Sequence, residues 1–65
     1  MRIDRKKYEF MLAKTCKSRN DLIAAGLKPT TLSFIGKVDT RPATVGKIAK
    51  AIGCDITDLL ADEEL

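Results

Sequence analysis

Apolar positions recur along the chain at helical spacing, broken at short intervals by glycine, proline and capping residues. In YEFMLAKTC, Tyr8, Met11, Leu12 and Thr15 fall at i, i+3, i+4 and i+7, one stripe of a helix over about 4–15. Ser18 then precedes RNDLIAA with Asp21 three residues on, close to a capping box, and predicts a second helix over about 18–25. Gly26 follows where a left-handed residue ends a helix, and Leu27 is placed to tuck under the turn. Pro29 is tolerated only in a first turn, so a third helix begins at Lys28 or Pro29 and ends near Gly36. The stretch DTRPATVGKIAKAIG repeats that logic. Thr40 is the expected cap, Pro42 lies in the first turn, and Val45, Ile48, Ala49 and Ile52 form a stripe closed by Gly53. Last, DITDLL offers Asp55 as cap and Asp58 at the third helical position, with Ile56, Leu59 and Leu60 expected to point inward from a short fifth helix. No repeat, low-complexity stretch or strand pattern interrupts this order. The expectation is an all-α, compact five-helix domain over residues 1–65.

On a helical wheel at about 100° per residue, the inward side of the third helix centres on Leu32 and Ile35. Thr30, Ser33, Phe34 and Lys37 take the opposite face. An exposed ring flanked by small hydroxyls and a cation suits a duplex groove: hydroxyls bond base edges or phosphates, a ring rests against a thymine methyl or a sugar, and an ammonium neutralises a phosphate. The alternative is that Phe34 folds back on loop 37–40 or meets another protein.

Composition narrows the function classes. A chain of 65 residues leaves room for one small core and no second domain. There is no His, and Cys16 and Cys54 are the only thiols, so a four-ligand zinc site is not expected, and neither is any other metal or cofactor. The two cysteines are read as reduced and partly buried. With no His and no glycine-rich phosphate loop, the scattered acids and separated thiols form no nucleophile–base pair, and an enzyme is not expected. No apolar run has the length of a membrane span, and MRIDRKKYEF lacks the apolar stretch of a signal peptide, so the expected location is the cytoplasm. The net charge of +3 is unevenly spread. Residues 1–50 hold all twelve Lys and Arg against four acids, a net +8, whereas residues 51–65 hold five acids and no base, a net −5. A polyanion is drawn to the first part and repelled by the last.

Two helices joined by a glycine-containing turn, over about 18–36, form a helix-turn-helix arrangement. DLIAAGLKPTTLSFIGK and VGKIAKAIGCDITDLL carry a resemblance to the lambda repressor and Cro type of helix-turn-helix domain, also called the xenobiotic response element family, and it extends from about Ile3 to Leu60. The resemblance implies a five-helix, sequence-specific regulator of transcription, expected to be a repressor, whose third helix enters the major groove of double-stranded DNA. By position, Lys28, Pro29, Thr30, Thr31, Ser33 and Phe34 would face base edges. Ser18 and Arg19 would hold a phosphate at the start of the second helix, and Lys37 and Arg41 would grip the backbone on the other side.

The chain departs from the family's pattern at Ile23, where the family usually has Ala, and at Gly36-Lys37-Val38 in place of Glu-x-Gly. Pro29 stands where the family usually offers a longer polar side chain, and a proline cannot hydrogen-bond a base, so readout shifts toward Lys28, Thr30, Ser33 and Phe34. A single half-site buries little, so two copies are expected on a two-fold operator, paired in solution or only on DNA, through Ile56, Leu59, Leu60 and Leu65. The competing function is a protein-interaction module, such as an antitoxin-like or adaptor domain, using the Phe34 face or the acidic tail. No small-molecule ligand is expected.

Overall fold

The computed structural model describes residues 1–64 and is all-α, with four α-helices among the described residues: α1 (Arg5–Lys14), α2 (Arg19–Ala24), α3 (Pro29–Ser33) and α4 (Pro42–Ile52). Side chains cap the starts of α1 and α2, whereas α3 begins at Pro29 with no side-chain cap. The Asp4 carboxylate accepts from the Lys6 and Lys7 amides at 2.8 and 3.3 Å. The Ser18 amide donates to Asp21 at 2.7 Å, and the Asp21 amide donates to the Ser18 hydroxyl at 3.4 Å, the reciprocal pairs of a capping box. Gly26 is left-handed at φ 105°. There the Leu27 amide reaches back to the Leu22 carbonyl and the Gly26 amide to that of Ile23, which buries Leu27 under the α2–α3 turn in a Schellman arrangement.

Three stretches differ from the sequence expectation. Segment 55–60 is not an α-helix but a 3-10 turn, Ile56–Asp58, with a second at Asp62–Glu64. The reason is competition for backbone partners. Residues 59–61 bond to the chain start, with the Asp4 amide donating to the Leu59 carbonyl at 2.8 Å and the Ala61 amide to that of Arg2 at 3.0 Å, and groups committed outward cannot extend a helical ladder. Thr40 does not cap α4. Arg41 takes the cap position with no side-chain cap bond, while Thr40 donates its amide to the Met1 carbonyl at 2.6 Å. And α3 ends at Ser33, short of Gly36, as its last turn tightens into bonds from the Ile35 amide to Leu32 and from Lys37 to Phe34.

The core draws on all four α-helices and on the segments that flank them. Tyr8, Leu22, Leu27, Leu32, Ile35, Val45, Ile48, Ala49 and Ile52 are buried as their spacing requires, together with Ile3, Leu59 and Leu60. The burial of Leu59 and Leu60 corrects the expected surface for a second copy: both are core side chains and cannot serve it. Ile56, expected inward, is the exposed member of that set, and Leu65 lies outside the described residues. Cys16, expected to be partly buried, is exposed at the end of α1 with φ 57°. No helix among the described residues is long and apolar enough to cross a membrane.

Candidate functional site

Five residues of α3 bury one side chain, Leu32, and the remainder of the helix faces outward or to its flanks. Two arginines hold it in place. The Arg5 guanidinium, from α1, donates to the Leu32 and Ile35 carbonyls at 3.1 and 3.2 Å, adding a donor at the C-terminal end of α3, where the helix supplies few of its own. It also lies 5.4 Å from the Tyr8 ring centroid and 3.6 Å from Glu9. Burial raises the Tyr8 hydroxyl above its ordinary pKa, opposed by the neighbouring Arg5 charge. At the other end, Arg19 donates to the Pro29 carbonyl at 3.0 Å and the Ser33 hydroxyl at 2.9 Å.

Between α3 and α4 lies an open groove lined by Leu27, Lys28, Thr30, Thr31, Phe34, Val38, Asp39, Thr40, Arg41, Thr44 and Lys47, with Gly26 at its edge. Phe34 and Val38 are its exposed apolar members, at 53% and 52% of their full surface. Lys28, Arg41 and Lys47 bring three positive charges against the single acid Asp39. Gly36, left-handed at φ 84°, turns the chain so that Val38 returns beside Phe34, its amide 3.4 Å from the Phe34 carbonyl.

The structure therefore divides the sequence-predicted residues. Lys28, Thr30, Thr31, Phe34 and Arg41 share this groove. Pro29 is exposed at the first turn of α3 and lies outside its lining, and Lys37 is exposed beyond it. Ser18, Arg19 and Ser33 are engaged within the protein: Ser18 with Asp21, whose carboxyl is held below its ordinary pKa by the Ser18 amide and hydroxyl, and Arg19 with Ser33. Val38, Thr44 and Lys47 were not singled out from sequence. Thr44 and Lys47, three apart on the flank of the Val45/Ile48 stripe, carried a signal of shared facing. Val38 carried none, because its position depends on the turn at Gly36.

No family model matches the chain, and no curated protein or solved structure matches it.

Proposed function

We propose that the chain is a sequence-specific, double-stranded DNA-binding regulator of transcription, a repressor of the lambda repressor and Cro type, with α2, the Gly26 turn and α3 as its helix-turn-helix. In this reading the 3-10 turn Ile56–Asp58 stands in the place of the fifth helix. The observation that carries it is the groove itself: the outward face of α3 opens onto a cationic surface formed with the start of α4. Positive side chains position a protein on phosphates while helix side chains meet base edges. Lys28, Thr30, Thr31 and Phe34 are the base-facing set, and Arg41 with Lys47 and Lys37 the phosphate-facing one. Arg19 and Ser18 serve the helix pair that presents them.

Selection of duplexes from a randomised pool tests this, run beside a variant carrying Thr30→Ala and Phe34→Ala. The native chain is expected to enrich a two-fold symmetric motif and the variant to lose that enrichment while keeping salt-sensitive binding. A native chain that binds no duplex at low salt overturns the reading. The protein-interaction module, using the Phe34 face or the acidic tail, then takes its place.

A further inference from the structure

We infer that the apolar part of the groove recognises thymine C5-methyl groups, so that the selected duplex carries thymine where Phe34 and Val38 meet it. The inference rests on the DNA-reading function proposed above and adds the base it prefers.

Phe34 and Val38 are both more than half exposed, and both line one groove. Exposed apolar side chains scattered singly need no explanation, but a pair set side by side in a concave surface marks a binding site. The rim restricts the occupant. Lys28, Arg41 and Lys47 outnumber Asp39, and Thr30, Thr31 and Thr44 add hydroxyls around the apolar centre. A complementary ligand is an extended polyanion that offers hydrogen-bonding edges and an apolar group between them. On the major-groove edges of the four base pairs, the C5-methyl of thymine is the apolar group, and side chains without polar atoms are its natural contacts.

The pairing of an aromatic with an aliphatic side chain also separates duplex from single strand. Unpaired bases are held by stacking on successive aromatic rings. Among the described residues, Phe34 is the one aromatic lining this groove, and Val38 has no π-face to stack on. A methyl group needs only van der Waals contact, which both residues supply.

The experiment uses the full chain and its selected duplex, with thymines replaced one at a time by deoxyuridine. That change removes a methyl and leaves every hydrogen-bonding group in place. Burial of one methyl-sized group is worth about a three- to five-fold change in affinity. The expected result is a loss of that size at one or two thymines per half-site and no change elsewhere. A variant with Phe34→Ala and Val38→Ala, checked for folding by circular dichroism, is expected to bind the thymine and uracil duplexes equally. Duplex binding unaffected by uracil at every position overturns the inference and leaves DNA reading intact. An equal small loss at all thymines, the mark of altered duplex shape, or a preference for single-stranded DNA, also overturns it. Failure to bind any duplex at low salt overturns the DNA-reading function itself.

Discussion

The Ser33 hydroxyl and the Arg19 guanidinium, fourteen residues apart in the chain, are 2.9 Å apart, and both donate to the Pro29 carbonyl, at 3.1 and 3.0 Å. A hydroxyl has one proton, and that of Ser33 is already committed to Pro29. Ser33 therefore retains acceptor capacity and offers no donor to a base, while Arg19 ties α2 to the start of α3.

Because the two side chains form one network, their effects on stability are expected to overlap. Arg19→Ala and Ser33→Ala should each cost about 1 kcal/mol, and the double variant should cost less than their sum by about 0.5 kcal/mol or more. Urea unfolding of the four proteins measures this. Strict additivity would mean that the triangle contributes nothing as a unit.

Gly36 and Gly26 both adopt positive φ, yet a Cβ at Gly36 would lie 2.8 Å from the Arg5 Cβ, whereas one at Gly26 meets nothing within 4 Å. Left-handed backbone alone costs an alanine about 1–2 kcal/mol. Gly26→Ala should lose about that much. Gly36→Ala should lose at least about 1 kcal/mol more, since the Arg5 Cβ is fixed by its own helix and cannot swing aside like the end of a long side chain. Chemical denaturation of the two variants compares them directly, and equal losses would mean that α1 yields to the added methyl.

The parts of the fold that were legible in the sequence are those set by local chemistry. The Ser18–Asp21 box, the Gly26 and Gly53 stops, Pro29 and Pro42 in first turns, and the Val45/Ile48/Ala49/Ile52 stripe all stand as their spacing required. What was not legible depends on segments distant in sequence. The 3-10 turn at 56–58 arises because residues 59–61 bond to Arg2 and Asp4, and Thr40 gives up the cap because its carbonyl, which at an N-cap accepts the first helical bond, is taken by the Met1 amino group. The candidate site divides in the same way. The outward face of α3 followed from the wheel, but Val38 and Lys47 enter the groove through a turn and a neighbouring helix, and Ser33 leaves it through a partner that no local pattern announces.

Cys16 occupies the position at the end of α1 that glycine usually takes. It is left-handed at φ 57°, and the Lys17 amide bonds to the Leu12 carbonyl and its own amide to that of Ala13, as in the α2 turn. The side chain is exposed, so its removal forfeits little packing. Cys16→Gly should therefore stabilise the protein, by about 0.5–1 kcal/mol once the greater freedom of unfolded glycine is counted. Thermal unfolding should show a rise of roughly 2–8 °C, and a fall would mean that the thiol has a packing role.

Asp21 and Asp62 both ionise below their ordinary range, Asp21 through the Ser18 amide and hydroxyl and Asp62 through its hydrogen bond to Lys7. A carboxyl with a depressed folded-state pKa contributes stability that is fully present above its unfolded value, about 3.9, and is lost as pH falls through the folded value. Stability should decline on acidification below about pH 5. Asp21→Asn should flatten that slope while lowering stability at neutral pH, because the amide accepts more weakly at the cap. Unfolding free energies measured from pH 7 to pH 2 test this, and an unchanged slope would place the acid response elsewhere.

Lys47 and Arg5 are both cations near α3, and their geometry assigns them opposite work. Lys47 lines the groove from α4 and has no part in the ion pairs among the described residues. Arg5 spends its guanidinium on the Leu32 and Ile35 carbonyls and the Tyr8 ring. Lys47→Ala should leave stability within about 0.5 kcal/mol of the native chain and, if a phosphate sits at that rim, reduce the slope of log affinity against log salt by about 0.9. Arg5→Met keeps much of the stem but removes the guanidinium that donates to both carbonyls, and should cost about 2 kcal/mol. On the proposed DNA-reading function, and under conditions where the variant remains folded, its salt slope should be native, because no phosphate contact is lost, while its discrimination between selected and random duplexes should shrink as α3 loses its anchor. Denaturation and a salt titration on each variant separate the two roles. A reduced slope for Arg5→Met would move that arginine from the support of α3 to the surface that binds.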